Sequence, residues 1–362
     1  MRWGGVEIRT KSTIKDVAKR AGVSAATVSN VLAGDKPVRA KSRELVMKAV
    51  AELNYRVNPA ASYLRSGRSR IICALVPSLE NPFYPRILAA VEELCQKDGY
   101  ELILASSANQ PEIEEARVQA LIQWMPAGFI VIPCSEDFPV RQQMEAARVP
   151  LVFADRAPEN TSCDVIEIDN VAAGVAAARH LVQLGHRNIT VCTPSLGVRN
   201  LRERIEGVAR VLAEFGARPE IVETGRDEVP ETLPGRAEVR ITAATAIIAL
   251  MNTTTLQVLA TLNRTGRTVP DDVSLVGFDD YSWMQVARPS VTAVRQPIEL
   301  IGRLAWSQLL ERINGAVGGP VHRKLSAELV LRNSTAAPRA ATEPVRATDS
   351  QPRDPALTEL EQ

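Results

Sequence analysis

The run from Thr13 to Leu32 constrains the fold of this chain most, because helix starts, helix stops and an apolar period follow one another in it. Apolar residues at 14, 17, 18 and 21 lie on the i, i+3, i+4, i+7 face of a helix. Thr13 is a ready N-cap, Asp16 stands three residues later as in a capping box, and Gly22 offers the left-handed turn that stops the helix. Ser24 then caps a second helix, with Val28, Val31 and Leu32 turned inward and Ala25, Ala26, Ser29 and Asn30 facing out; Gly34 ends it. Two helices joined by a tight glycine turn, the second with a short polar face, match a helix-turn-helix, whose second helix enters the DNA major groove. A third helix, about Ala40 to Leu53, supplies Leu45, Val46, Ala49, Val50 and Leu53 to close a small core.

On the presumed recognition helix only Asn30 can make a bidentate base contact, and its geometry fits adenine N6/N7; Ala25 and Ala26 offer methyl contacts to thymine. Phosphate contacts are expected from Ser24 at the helix N-terminus, from Thr27, Ser29 and Tyr55, and from Lys15 and Arg43, with Thr13 beside them. Charge agrees with this placement. Residues 1–70 hold 15 of the 43 Lys/Arg and 5 of the 42 Asp/Glu, so a head of +10 is joined to a remainder of −9. Cations near DNA release condensed counterions while an acidic body is kept away. The bland alternative is a merely solvated basic surface.

After the third helix, Asn58 suits a helix cap, Pro59 a first helical position and Gly67 a stop. Eight residues are too few for a stable isolated helix, so this segment is expected to order only against DNA and a symmetry mate. From Arg70 onward the pattern alternates. Apolar runs at Ile71 to Val76, Leu102 to Ala105, Phe129 to Ile132 and Leu151 to Ala154 read as buried parallel strands. Helical patterns lie between them, from Phe83 to Lys97 and from Pro111 through Trp124. A second set follows: helix Asn170 to Leu184, strand Ile189 to Thr193, helix Leu201 to Phe215, strand Ala246 to Leu250, a helix to Arg264 and strand Ser274 to Phe278. Repeated strand-helix units predict two doubly wound sheets, hence two lobes. Gly225 to Thr242, interrupted by Pro230, Pro234 and Gly235, lacks the apolar helix expected there. The end of the chain, Ala336 to Gln362, has no periodicity and is expected to be a disordered tail.

Ligands of open α/β sheets bind beyond the carboxyl ends of the strands, and the residues at those ends are polar: Ser78 to Tyr84, Asp155-Arg156, Asn252 and Asp279-Asp280. Five scattered cysteines read as reduced core residues, with no Cys/His spacing suited to a metal; no cofactor is called for. There is no signal peptide and no apolar run of ~20 residues, so the expected location is the cytoplasm, at the bacterial nucleoid, with no membrane contact. His180, His186 and His322 read as structural.

The runs TIKDVAKRAGVSAATVSNVL and AVAELNYRVNPAASYL closely resemble the head of lactose-repressor-type (LacI/GalR) transcription regulators, and the resemblance extends to about Asn333. It implies a small all-α helix-turn-helix head on an α/β periplasmic-binding-protein-like body of two doubly wound lobes. The expected division is an extension at 1–12, the head at 13–57, a hinge at 58–69, the two-lobed effector-binding and dimerisation body at 70–335 and the tail at 336–362. The resemblance places Asn58, Ala61 and Leu64 in a hinge helix that enters the minor groove, where Leu64 wedges between base pairs and bends the duplex; the alternative is a Leu64 that packs on the body. It makes Arg204 of Arg204-Ile205-Glu206-Gly207 and Asp279 effector ligands, with Phe83, Asp155, Asn252, Trp283 and Gln296 as further contacts. A carboxylate and a guanidinium facing one cleft can grip the hydroxyls of a polyol. The last helix, Pro297 to Ile313, and the final strand, about Lys324 to Leu331, would cross between lobes. Asn252-Thr253-Thr254-Thr255 departs from the family's N-D-x-x-A pattern. The function so implied is a homodimeric repressor of carbohydrate-metabolism genes that binds a palindromic double-stranded operator and is switched by a sugar or sugar acid. The other readings are a transport-type sugar-binding protein and an enzyme on the same two-lobed fold; no nucleophile elbow or phosphate loop supports the enzyme.

Overall fold

A computed structural model describes residues 12–33, 37–55, 69–136, 138, 144, 149–225, 233 and 235–339. The expectations placed on Gly34, Asn58, Ala61 and Leu64, and on 340–362, lie outside the described residues.

The head forms as its caps dictate. Helix α1 spans Ile14–Ala21, and at its start the Thr13 backbone N–H donates to Asp16 Oδ2 (2.8 Å) while the Asp16 N–H donates to Thr13 Oγ1 (3.3 Å), a reciprocal capping box. Gly22 ends it at φ +66°. Helix α2, Ala25–Ala33, begins with the Thr27 N–H donating to Ser24 Oγ at 3.1 Å. Helix α3, Ala40–Glu52, closes the core with Val46 and Ala49. Val17, Val28 and Val46 have no exposed surface, each burial contributing about 1.5–3 kcal/mol. Two inward and outward assignments are corrected. Leu45 is exposed, because the buried stripe runs through Val46, Ala49, Val50 and Leu53, and Leu45 sits about 100° off it. Ala25, expected to face out, packs at the margin of the core.

The body has two parallel sheets. In lobe 1 the strands are β1 (Ile71–Val76), β2 (Glu101–Ser106), β3 (Gly128–Val131), β4 (Leu151–Ala154) and β5 (Asp164–Ile168), joined by helices α4 (Phe83–Lys97) and α5 (Pro111–Ile122). In lobe 2, helix α6 (Asn170–Gln183) leads to β6 (Ile189–Thr193), α7 (Arg199–Ala213), β7 (Glu220–Glu223), α8 (Arg236–Ala243), β8 (Ala246–Ala249), α9 (Asn252–Arg264), β9 (Ser274–Phe278), α10 (Ser282–Val286) and β10 (Thr292–Arg295). Helix α11 (Ile298–Ile313) returns to pack on lobe 1, and the last two strands, β11 (His322–Leu325) and β12 (Glu328–Val330), add one to each sheet. The orders are β11-β5-β4-β3-β1-β2 and β12-β10-β9-β8-β6-β7, with β12 antiparallel. The single final strand of the sequence reading is therefore two strands with a crossing between them, and the chain passes between lobes at 168–170, 295–298 and 325–328.

Strand β2 is an edge and only partly buried, so Leu102 to Ala105 is not the fully buried run expected. The segment before β8 does form a helix, α8, anchored by buried Ile241; one apolar face of two turns suffices once the sheet is there to receive it. Residues 336–339 belong to the packed body. The Ala336 carbonyl accepts from buried His186 (2.8 Å), and Arg339 pairs with Asp272 (3.0 Å).

Helices α6 and α7 cross at glycines. A Cβ on Gly207 would stand 2.1 Å from the Val171 carbonyl oxygen, and one on Gly174 would stand 2.0 Å from that of Arg204. This contact is closer than any side chain permits, and it holds Arg204 at a set depth under the lobe 2 sheet.

Candidate functional site

The head presents the expected polar residues on α2. Ala26 is exposed, and Thr27, Ser29, Asn30 and Tyr55 are half-buried. Lys15, Arg43, Thr13 and Ser24 are exposed. The head therefore leaves hydroxyls, an amide and cations accessible, the chemistry that phosphate positioning and base readout use.

The second constellation lies where the strand ends of the two lobes meet. Chain direction is decided there by three aspartates in the left-handed region: Asp155 at φ +64° after β4, and Asp279 and Asp280 at +80° and +39° after β9. Such backbone is tolerated by Asp but costs energy, and it gathers at functional sites. A small cavity of about 20 Å³ between the lobes is lined by Phe83, Tyr84, Asp155, Arg156, Asn200, Leu201, Arg204, Met251, Asp279 and Gln296. It adjoins a wider cleft that shares Tyr84, Arg156, Leu201 and Met251.

On the lobe 2 wall the groups hold one another. Gln296 Nε2 donates to Asp279 Oδ1 (2.6 Å) and the Asn252 backbone N–H donates to Asp279 Oδ2 (3.1 Å). Trp283 Nε1 donates to Asn252 Oδ1 (2.7 Å), fixing that residue behind the wall. Arg204 Nε donates to Asn170 Oδ1 (3.0 Å) and Nη1 to the Leu250 carbonyl (2.7 Å), while its guanidinium lies 4.6 Å from the Phe278 ring centroid. Burial lowers the Arg204 pKa and the nearby Asp279 and Asp155 carboxylates oppose that; a guanidinium stays charged regardless.

Lobe 1 contributes Asp155, Arg156 and the start of α4. Phe83 and Tyr84 pack edge to face at 5.5 Å, and the Phe83 N–H donates to Asn81 Oδ1 (3.0 Å), which orients both rings into the cleft. Burial pushes the Asp155 carboxyl up to about 6 against the pull of Arg156 and Arg204. Asn200 Nδ2 donates to Asp155 Oδ2 (3.3 Å), linking the lobes across the cavity.

Of the effector contacts read from the sequence, Phe83, Asp155, Arg204, Asp279 and Gln296 line one cavity. Asn252 and Trp283 stand behind it as supports. Tyr84, Arg156, Asn200, Leu201 and Met251 were missed as site residues. The sequence carried a signal for two of them: Tyr84 follows Phe83 in the loop after β1, and Arg156 follows Asp155. Asn200 and Leu201 had none, since α7 starts two residues before its expected start. Among the described residues no group of three His, Cys, Asp or Glu is placed to hold a metal ion, and no helix is long and apolar enough to cross a membrane. No disulfide joins the five cysteines; Cys73, Cys95 and Cys192 are buried, and Cys134 and Cys163 half-buried.

Residues 13–58 match the family of bacterial regulatory proteins named lacI, and residues 178–335 match the periplasmic binding protein-like domain. The HTH-type transcriptional repressor PurR of Pasteurella multocida is 30% identical over 329 residues, covering 89% of this chain and 98% of the relative. The chain belongs to the lacI family. It is a DNA-binding transcriptional regulator, built as a helix-turn-helix head on a two-lobed body. The HTH-type transcriptional regulator PtxS of Pseudomonas plecoglossicida is 31% identical over 336 residues, 91% of this chain and 97% of that protein. Among solved lacI-family structures, the Lac repressor dimer bound to operator and the anti-inducer ONPF superposes with a TM-score of 0.77 at 26% identity, over 91% of this chain and 100% of that one. The regulator CelR in complex with cellobiose gives 0.64 at 27% identity, over 89% and 99%.

Proposed function

We propose that this regulator binds a palindromic operator as a homodimer and that a sugar-type effector in the interlobe cavity sets its affinity for DNA. The observation that carries this reading is that two strand-end carboxylates, Asp155 and Asp279, and two buried guanidiniums, Arg156 and Arg204, line one interlobe cavity. Carboxylates accept and guanidiniums donate, so a polyol finds both kinds of partner in fixed positions. The CelR relative holds cellobiose, and the Lac repressor is a dimer on its operator. Such a regulator works where the DNA is, in the cytoplasm, as a repressor rather than an enzyme.

Coupling follows from the chain path. Three strands of chain join the lobes, so a ligand that draws Asp155 and Asp279 toward each other rotates lobe 1, which carries residues 56–68 and the head. Two heads of a dimer then move together or apart. By linkage the operator changes effector affinity by the same factor. On the DNA, Asn30 reads an adenine, Ala25 and Ala26 meet thymine methyls, Thr13, Lys15, Ser24, Thr27, Ser29 and Tyr55 hold phosphates, and Asn58, Ala61 and Leu64 enter the minor groove. Operator selection from a randomised palindrome tests this: Asn30→Ala is expected to relax one symmetric base pair by about 1–3 kcal/mol per contact, and an unchanged base preference rejects Asn30 as the reader. A thermal-shift screen of sugars, sugar acids and nucleobases tests the cleft. Ligand at a hundred times its Kd raises stability by about 2.7 kcal/mol, and a screen in which no sugar or sugar acid shifts the transition rejects the sugar reading.

A further inference from the structure

The two walls of the cavity differ in which atoms they leave without a partner. Asn200 and Gln296 each spend their amide N–H on a carboxylate, Asp155 and Asp279 respectively, which orients the amides so that Asn200 Oδ1 and Gln296 Oε1 remain buried without a hydrogen-bond donor. Both residues are 4% exposed. Unpartnered acceptors are what hydroxyl groups satisfy.

Lobe 1 leaves a donor instead. Arg156 is 8% exposed, its Nε has no partner, and its one hydrogen bond among the described residues is a long one from Nη2 to Tyr84 Oη (3.4 Å). The guanidinium also lies 5.9 Å from the Tyr84 ring centroid. Three other arginines of the body with little exposure are committed. Arg312 grips Asp164 through Nε (2.7 Å) and Nη2 (2.8 Å), Arg199 pairs with Glu167 (2.5 Å) and Glu203 (2.8 Å), and Arg204 is held by Asn170, Leu250 and Phe278. Arg156 forms no ion pair among the described residues. A buried cation without a bonded counterion is costly, and a guanidinium has five donors and no acceptor. Its missing partner is therefore an acceptor, and a planar or tetrahedral anion meets it with two bonds at once.

From this geometry, and resting on the sugar-effector reading above, we propose that the effector carries an anionic group, a carboxylate or a phosphate, at one end of a hydroxylated skeleton. Arg156 receives the anion from lobe 1, and Asn200 Oδ1 and Gln296 Oε1 receive hydroxyls from lobe 2. Two carboxyl groups near the guanidinium, Asp155 and Glu114, are both raised by burial, Asp155 to about 6, and their charge favours the Arg156 cation.

The experiment is a thermal-shift and calorimetric panel on the full-length protein. One arm holds aldonates, ketoaldonates and uronates, a second holds hexose and pentose phosphates, a third holds the neutral parent sugars and alditols, and a fourth holds nucleobases. An acid or a phosphate is expected to bind where its neutral parent does not, and the responding arm names the source of the anion. Arg156→Gln is expected to weaken that ligand about ten- to a hundredfold, with Arg156→Lys recovering part of the loss. A neutral sugar that binds as tightly as its acid, with affinity unchanged in Arg156→Gln, overturns the anion proposal and leaves the sugar reading intact. A response confined to nucleobases, or none in any arm, overturns both. Should Arg156→Gln fail to fold, the comparison of acid with parent on the wild-type protein decides by itself.

Discussion

The two walls of the cleft solve different problems. In lobe 2, Asp279, Gln296, Asn252 and Trp283 form a chain in which each member fixes the next, and Arg204 is pinned by a carbonyl, an amide and a ring. In lobe 1, Asp155 and Arg156 sit side by side with fewer bonds and a carboxyl raised to about 6. A wall whose members are bonded to one another holds its shape without ligand even where it leaves acceptors such as Gln296 Oε1 open. A wall with fewer internal bonds gains most when ligand arrives, so lobe 2 reads as the template and lobe 1 as the part that responds.

The largest expected effect breaks the template. Asp279→Ala strips the acceptor from Gln296 Nε2 and the Asn252 N–H and leaves Arg204 without its nearby carboxylate. A loss of about 3–5 kcal/mol in urea unfolding is expected, together with loss of effector response. A variant as stable as wild type contradicts the template view. In lobe 1 the sign reverses. Because burial raises Asp155 in the folded state, the fold holds that proton more tightly than the unfolded chain, and unfolding becomes easier as pH rises from about 4 to about 6. The cost is absent below that window and complete above it, amounting to at most ~3 kcal/mol. Asp155→Asn removes it while retaining an acceptor for Asn200, so the variant is expected to be more stable than wild type at pH 7 and to converge with it near pH 4. Equal stability at both pH values dismisses the buried-carboxyl account of lobe 1.

Smaller effects sharpen the contrast. Gly207→Ala forces α6 and α7 apart and is expected to cost about 1–3 kcal/mol, seen as a lower thermal midpoint and weaker effector binding through displaced Arg204. Trp283→Phe removes one hydrogen bond to Asn252 and is expected to cost about 1 kcal/mol with a modest loss of effector affinity. An effect of Trp283→Phe larger than that of Asp279→Ala moves Trp283 from support to direct contact.

Legibility followed the range of the interactions. The capping box at Thr13 and Asp16, the stop at Gly22 and the cap at Ser24 are bonds among neighbours in the chain, and the sequence pattern placed them correctly. Helix α4 and strands β1, β6 and β9 were also placed to the residue, because each is a continuous apolar run or stripe between clear stops. The edge strand β2, the polar-flanked β5 and β7, and helix α8 were misread or missed, since their residues acquire an apolar partner only after the sheet assembles. Leu45 failed for a simpler reason, a one-residue error in locating the buried stripe of α3.

By itself the sequence determined the head, the alternation of strands and helices in two lobes and the acidic residues at the strand ends, because each follows from local caps, local period or chain polarity. Only the tertiary structure decided which of those ends share a cavity, that Asn252 and Trp283 stand behind it, and that Arg156 is buried there with no ion pair among the described residues. Those facts depend on the strand ends of two separate sheets meeting at one cavity, and burial acts on a charge only where they meet.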